Sequence, residues 1–232
     1  MLSIIIPTFN EEKYLPLLLK SIRKQTFKDY EIIVADNNSI DLTSTVAARY
    51  GAKVVRGGTP AQGRNRGAEA AKGEWLLFLD ADVILPKDFL KTAMEEIGKS
   101  DCSAVSCLAK PLSDKKVDKI LHNAANLYIL ATKKTFSHAA GFCIFSKSQT
   151  HRLVGGFDES LKMAEDHDYV FRINKVAKFD ILKSVQIPVS VRRLNKDGRL
   201  NIAAKYVAVE IHLIFWGPVK SKIFNYDFGD FD

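Results

Sequence analysis

Before Asp80, short apolar runs that each end in polar residues alternate with segments of helical period. No other feature of this chain restricts its fold as strongly. Leu2 to Ile6 reads as a strand ending at Pro7, and Glu12 to Gln25 as a helix with Tyr14, Leu15, Leu18, Leu19 and Ile22 at helical spacing. Glu31 to Ala35 is apolar enough for a strand buried on both faces. Asp41 is placed to cap a helix that runs to about Tyr50 and stops at Gly51. Ala52 to Val55 gives a third strand, Pro60 to Lys72 a helix, and Glu74 to Leu79 a fourth strand that runs straight into Asp80. That order predicts an α/β fold, with a doubly wound, mostly parallel sheet and helices on both faces. Ligands of such sheets bind beyond the carboxyl ends of the strands. Three polar clusters fall there: Pro7-Thr8-Phe9-Asn10-Glu11, Asp36-Asn37-Asn38-Ser39 and Asp80-Ala81-Asp82.

The second half is less regular. A helix is expected from Pro86 to about Gly98 and a strand from Ser103 to Leu108. Lys115 to about Thr132 predicts an amphipathic helix with Val117, Ile120, Leu121, Ala124, Leu127 and Ala131 in register. A strand from Phe142 to Phe145, a helix from Glu165 to Asn174, and short strands near Lys178 to Leu182 and Gln186 to Val191 follow. Leu200 to Trp216 gives a last amphipathic helix, with Ile202, Tyr206, Val209, Leu213 and Trp216 on one face and Gly217-Pro218 as its stop. That face is expected to pack on the domain, with contact to a membrane surface as the alternative, because Lys205, Lys220 and Lys222 lie nearby. The tail from Ser221 fits no element. The expected division is a domain over 1–199, in two halves over about 1–100 and about 101–199, followed by helix and tail over 200–232.

Two carboxylates one residue apart at the end of a buried strand are costly unless paired or metal-bound. Asp80 and Asp82 therefore point to a hard divalent cation, Mg²⁺ or Mn²⁺, held with substrate phosphates, or else to a solvated capping pair. Asp36 can accept hydrogen bonds from a base or ribose, or close an Asx-turn. Glycines inside a helix cost about 1 kcal/mol each, so Gly63 and Gly67 around Arg64-Asn65-Arg66 suggest a close approach or a helix start. An arginine there can neutralise a pyrophosphate or sit in a solvated turn. Glu165-Asp166-His167-Asp168 suits a helix N-terminus, and one of its carboxylates can be a general base for an acceptor hydroxyl. Arg172 is off the face of Asp166 and should pair elsewhere. Arg192-Arg193 can clamp a diphosphate or form a solvated loop. His138 and His151 read as surface or satisfied histidines.

The net charge of +7 fits solubility, and equally attraction to phosphate-bearing ligands or an anionic membrane. Nucleic acid is not expected as a partner, because no basic block with interleaved aromatics and no zinc-finger spacing occurs. Cys102, Cys107 and Cys143 are too few and too odd for a disulfide framework or a zinc site, so a reducing, cytoplasmic setting is expected. The first residues lack the basic flank and length of a signal peptide, and no apolar run reaches the roughly 18–20 residues of a spanning helix.

In order, Ser3-Ile4-Ile5-Ile6-Pro7-Thr8 with Asn10-Glu11, Val34-Ala35-Asp36-Asn37-Asn38-Ser39 with Asp41, Arg64-Asn65-Arg66-Gly67, Leu79-Asp80-Ala81-Asp82, Gly155-Gly156-Phe157-Asp158-Glu159 and Glu165-Asp166-His167-Asp168 resemble family 2 glycosyltransferases. These inverting enzymes have the GT-A fold. The resemblance spans about residues 2 to 193. It implies that Pro7, Thr8, Glu11 and Asp36 line a nucleoside pocket, that Asp80 touches ribose or metal, and that Asp82 binds the metal. It also implies Asp166 as catalytic base beside Glu165, and Arg192-Arg193 against the diphosphate. The activity so implied is metal-assisted transfer from a UDP- or GDP-sugar to a saccharide or lipid-linked acceptor, with a place at the cytoplasmic face of a membrane as one setting. Dolichyl-phosphate sugar synthases are similar in size and order, but Ile84 stands where they carry a polar metal-site residue, and Asp36-Asn37-Asn38-Ser39 departs from their loop. A non-catalytic nucleotide-sugar binding module is the other alternative, and it would predict loss of a carboxylate among Asp36, Asp82 and Asp166, all of which are present. The oligomeric state is open. A dehydrogenase reading fails for want of G-x-G-x-x-G after the first strand.

Overall fold

The computed structural model describes residues 1–133 and 141–220. His138 and the tail from Ser221 lie outside them. The elements are β1 (Leu2–Thr8), α1 (Leu15–Arg23), β2 (Tyr30–Asp36), α2 (Thr43–Arg49), β3 (Lys53–Arg56), α3 (Pro60–Glu69), β4 (Trp75–Leu79) and α4 (Phe89–Gly98). There follow β5 (Ala104–Pro111), α5 (Lys116–Thr132), β6 (Cys143–Lys147), α6 (Ser148–Leu153), α7 (Glu165–Val176), β7 (Phe179–Val189), α8 (Arg192–Lys196) and α9 (Arg199–Trp216). One sheet runs in the order β3-β2-β1-β4-β6-β5-β7. Its pairs are parallel except those that β6 makes with β4 and β5. The doubly wound, mostly parallel sheet expected from the alternation is what forms.

Alternation along the central strands splits the core between two faces. Ile4, Ile6, Leu77 and Leu79 point to a layer made by α1, α2 and α4. Ile5, Leu76 and Phe78 point to a layer made by α3 and α7 with Phe157, Tyr169 and Ile173. The two glycines of α3 explain how closely that helix lies on β1. A Cβ at Gly67 would stand 2.3 Å from Ile5 Cγ2, and one at Gly63 would stand 2.9 Å from Pro7 Cβ. Thr59 caps α3 in a reciprocal capping box with Gln62. The three cysteines are buried and unpaired, as small core side chains.

Several boundaries differ from the sequence reading for physical reasons. Helix α1 starts at Leu15 rather than Glu12, because Glu11 and Glu12 are drawn into the turn before it: Glu11 N–H donates to Thr43 Oγ1 at 2.8 Å and Glu12 Oε2 accepts from Leu42 N–H at 2.9 Å. Asp41 sits one residue outside the cap of α2, accepting from the N–H groups of Thr43 and Glu12 and so tying that helix to the same turn. The two short late strands are one strand, β7, with a register shift opposite Cys107 and Leu108. There the Lys183 and Ser184 N–H groups turn aside to the Glu96 carboxylate. The largest departure is α5. Its apolar stripe does not face the core; Asp118 and Asn126 do. On α9 only part of the expected face packs inward: Ile202 and Val209 are buried and Leu213 packs with Met163 and Val219, while Tyr206 and Trp216 are 48% and 71% exposed.

Candidate active site

Parallel pairing brings the polar clusters together at the carboxyl edge of the sheet. Thr8 and Asp36 are register partners on β1 and β2, and Thr8 Oγ1 donates to Asp36 Oδ1 at 3.1 Å. The same carboxylate accepts from Ser39 N–H (3.2 Å), Ser39 Oγ and Ser44 Oγ (2.8 Å). Asp36 thus does close an Asx-type turn, and that turn builds the rim of the edge. Asn10 and Asn38 both adopt left-handed backbone there, at φ 54°, and each chain reversal follows a strand end.

From Glu11 to Asp166 the edge carries two ion clusters, one around Arg192 and one around Arg64, which meet at Asp80-Ala81-Asp82. Arg192 forks onto Glu11 at 2.6 and 2.9 Å, and its Nε reaches Asp82 Oδ2 at 2.9 Å. Its guanidinium also lies 4.5 Å from the Tyr14 ring centroid. Arg64, expected either at a pyrophosphate or in a solvated turn, is instead 3% exposed. It bonds Asp80 Oδ1 at 3.0 Å, Glu165 Oε1 at 2.7 Å and the Gly141 carbonyl at 3.4 Å. The Gly141 N–H in turn donates to Asp166 Oδ2, and Asp166 Oδ1 accepts from His167 N–H at 2.9 Å. The order across the site is therefore Glu11, Arg192, Asp82, Asp80, Arg64, Glu165, with Asp166 joined through Gly141. Arg172 pairs with Asp168 at 2.7 Å, one turn along α7.

Local folding sets this order. The Asp82–Ile84 segment, which follows β4, zips onto the end of β7: Ile84 N–H donates to the Pro188 carbonyl at 3.0 Å and Ser190 N–H to the Asp82 carbonyl at 3.1 Å. That contact delivers Arg192 to Asp82. Arg193 follows it on α8. A cleft of about 260 Å³ opens beside the pair, lined by Tyr14, Asp82, Ile84, Ser190, Arg192 and Asn195 among others. On the other side, the acidic first turn of α7 holds Glu165, Asp166 and Asp168 where the helix dipole favours them.

The charges are shared out unevenly. Burial pushes Glu11 up to about 7, although Arg192 pulls against it, and the charges of Asp82 and Asp80 add to the rise. Burial also pushes Asp82 above its ordinary range, with Arg192 opposing and Asp80 reinforcing. Glu165 rises for the same first reason, countered by Arg64. Burial works against the charge on Arg64, but Asp80, Glu165 and Asp166 outweigh it and hold the guanidinium charged. Asp80 and Asp82 are hard oxygen donors whose mutual repulsion a divalent cation would relieve. Among the described residues no three His, Cys, Asp or Glu side chains converge as a metal cage. Two carboxylates plus phosphate oxygens are what Mg²⁺ or Mn²⁺ takes, and these residues fit that set.

Three contributors escaped the sequence reading. Gly141 has no room for a Cβ, which would stand 2.5 Å from Arg64 Nη2 and 3.1 Å from Asp166 Oδ2. Asn65 clamps the Gly155-Gly156-Phe157 turn, accepting from Phe157 N–H at 2.8 Å and donating to its carbonyl at 2.9 Å. The signal was an asparagine between two arginines, with a glycine pair far downstream. Tyr14 looked like one more apolar position of α1. Of the two readings of His151, surface or satisfied, the second holds: it is buried, and its Nδ1 bonds Tyr169 Oη at 2.9 Å inside the aromatic layer.

The chain matches solved structures of the same architecture. It is similar to crystal structures of Staphylococcus aureus TarS residues 1–349, at TM-score 0.68 and 25% identity, over 91% of this chain and 65% of that one. A second TarS structure, in complex with UDP-GlcNAc, gives the same score and identity over 82% of this chain and 58% of the other. Mannosyltransferase PcManGT from Pyrobaculum calidifontis, solved with GDP-Man and Mn²⁺, shares the fold at TM-score 0.70 and 22% identity, over 82% and 56% of the two chains. These likenesses bear out the GT-A fold. In sequence, the poly(ribitol-phosphate) beta-N-acetylglucosaminyltransferase TarS of S. aureus Mu50 is 28% identical over 73% of this chain. The GalNAc(5)-diNAcBac-PP-undecaprenol beta-1,3-glucosyltransferase of Campylobacter jejuni is 38% identical over 41% of it. The chain spans about a third of the length of each, 32% and 34%. A model of the family described as "Glycosyl transferase family 2" matches residues 3–154, well over half of the chain, and the protein therefore belongs to glycosyl transferase family 2.

Proposed function

We propose that the chain transfers a sugar from a UDP- or GDP-linked donor to a saccharide or lipid-linked acceptor, with inversion, using Asp166 as the general base. The observation that carries this is the pair of ion clusters on either side of Ala81: Arg192 ties Asp82 to Glu11, and Arg64 ties Asp80 to Glu165 on the helix that presents Asp166. Residues over about 1–100 hold the nucleotide and those over about 101–199 the acceptor. The relatives named above act on a ribitol-phosphate polymer and on an undecaprenol-linked glycan, which supports an acceptor hydroxyl on a large or lipid-carried molecule.

Pro7, Thr8, Glu11 and Asp36 form the nucleoside side. Asp80 and Asp82 would hold Mg²⁺ or Mn²⁺, and the ion supplies Lewis-acid neutralisation of the leaving diphosphate. Arg192 and Arg193 would meet the diphosphate, and Arg192 can exchange its carboxylate partners for phosphate oxygens in the same forked geometry. The acceptor hydroxyl gives its proton to the Asp166 carboxylate as its oxygen bonds the anomeric carbon. The bond from that carbon to the diphosphate oxygen breaks with both electrons leaving on the phosphate. The Gly141 N–H holds one Asp166 oxygen and the His167 N–H the other, so the carboxylate is aimed before substrate arrives. Arg64 is a positioning residue in this scheme, fixing Glu165 and the Gly141 turn on either side of the base.

The Asp166→Asn variant tests the assignment. Calorimetry should find nucleotide affinity retained, while transfer falls by about 10²–10⁴-fold, the usual worth of a positioned base. Full turnover in that variant would refute the role.

A further inference from the structure

Helix α5 turns its apolar stripe outward, and α9 is apolar on its outer face as well as on the face it buries. On α5 the inward side chains are polar: Asp118 is fully buried under Arg199, and Asn126 bonds both the N–H and the carbonyl of Ala109. On the opposite face Ile120 and Leu127 are 66% and 69% exposed. Helix α9 buries Ile202 and Val209, yet Leu200, Val207, Ile211, Ile214 and Phe215 recur along its outer face, 45% to 85% exposed, with no charged residue among them. Arg199 bonds Asp118 near the start of both helices, and Tyr128 Oη donates to Glu210 Oε2 at 3.1 Å further along. The two bridges are about 15 Å apart on each helix. The helices therefore run side by side in one direction, and their stripes belong to one surface.

We infer that this surface docks on an anionic lipid bilayer. An exposed apolar surface of this extent marks an interaction site, and its rim is basic. Lys115, Lys116 and Lys119 stand at the start of α5, and Lys196 and Lys220 near the two ends of α9, all exposed. Against them stand Asp197 and Asp114, the latter 3.8 Å from Lys119. Apolar outer faces with lysines at the edge are what an interfacial helix needs to sink its stripe among lipid headgroups. No helix of the described residues is long and apolar enough to cross a membrane, so the surface lies on the bilayer. A second copy of the chain fits less well, since two lysine rims would face each other. Glu210, on the flank of α9, also approaches His167 Nδ1 at 3.5 Å, so α9 joins the docking surface to the helix of Asp166, and this last point rests on the base assignment above.

The test is flotation of the full chain with phosphatidylcholine vesicles, with and without phosphatidylglycerol. Binding to the anionic vesicles, weakened by salt, is expected. Ile211→Glu with Phe215→Glu, and separately Leu127→Glu, should lower partitioning by about tenfold or more. Melting temperature and nucleotide affinity in solution should stay unchanged, because these side chains point outward and away from the cleft. No binding by the parent, equal binding by the variants, or light scattering that shows a dimer split by the same variants would overturn the inference. Loss of transfer in Asp166→Asn with vesicle binding intact would leave it standing, which separates the two readings.

Discussion

Replacing Glu11 by glutamine should change the shape of the stability–pH curve more than its height. Arg192 is one guanidinium shared between two carboxylates, Glu11 and Asp82, so neither is fully compensated for its burial. Glu11 titrates at about 7 in the fold against 4.5 ordinarily. Between those values the folded state holds more proton than the unfolded one. Stability from this group therefore falls as pH rises from about 4.5 to 7, by at most about 3 kcal/mol. His151 works in the opposite direction. Burial, then Arg172 and Arg152, lowers it from 6.5 to about 4, so its contribution is gained as pH rises across that span, again by at most about 3 kcal/mol. In the parent the two slopes oppose each other over most of this range. Glu11→Gln removes one and leaves the other, and it also releases Arg192 wholly to Asp82. Urea midpoints taken from pH 4.5 to 8 should show the variant gaining on the parent by about 2–3 kcal/mol as pH rises. Parallel curves would mean that Glu11 is ionised throughout, and the argument from a shared guanidinium would fall.

Arg64→Met should cost about 3–5 kcal/mol in urea denaturation, because it strands Glu165 in a buried site and frees the Gly141 turn. Asp82→Ala should weaken nucleotide-sugar binding measured with Mn²⁺; an affinity that is the same with and without the ion, in parent and variant alike, would remove the metal role. Gly67→Ala should destabilise by about 1–3 kcal/mol through overpacking against Ile5, more than the roughly 1 kcal/mol that alanine gains as a helix former. The double variant with Ile5→Ala, which opens that space at the cost of a core side chain, should lose less than the sum of the two single losses in urea denaturation.

The sheet was legible because its signal is local: an apolar strand followed by an amphipathic helix, repeated, leaves little choice of architecture. The ends of those strands were legible for the same reason, and Thr8, Asp36 and Asp80 do meet at one edge. Partnerships were not. Arg64 and Glu165 lie far apart in sequence, and nothing local says that an arginine flanked by glycines will be buried under a helix N-terminus. The stripe of α5 failed in a more instructive way. Helical periodicity reports that one face is apolar, not which way that face turns. A single buried Asp118 with Arg199 as its partner fixed the other face inward, an outcome that depends on a residue eighty-one positions away.

Burial is the main reason why Glu11, Asp82 and Glu165 sit above their ordinary range, and the site's own negative charge adds to it. Glu11, Asp82, Asp80, Glu165 and Asp166 bring five negative charges to one edge, and the ion clusters answer them with two guanidiniums, Arg64 and Arg192. A nucleoside diphosphate would add more negative charge to that excess. Arg193 offsets one unit and a divalent cation two, which brings the edge close to neutral before the diphosphate arrives. Burial, with this excess adding to it, keeps Glu11, Asp82 and Glu165 easier to protonate than ordinary carboxylates. Protons and the cation therefore compete for the same negative charge. Donor binding with Mn²⁺ should strengthen as pH rises through about 7 in the parent, and calorimetry should find protons released on binding. In Glu11→Gln both the pH dependence and the proton release should shrink. If the release is unchanged in that variant, the excess charge lies elsewhere than at the Arg192 fork.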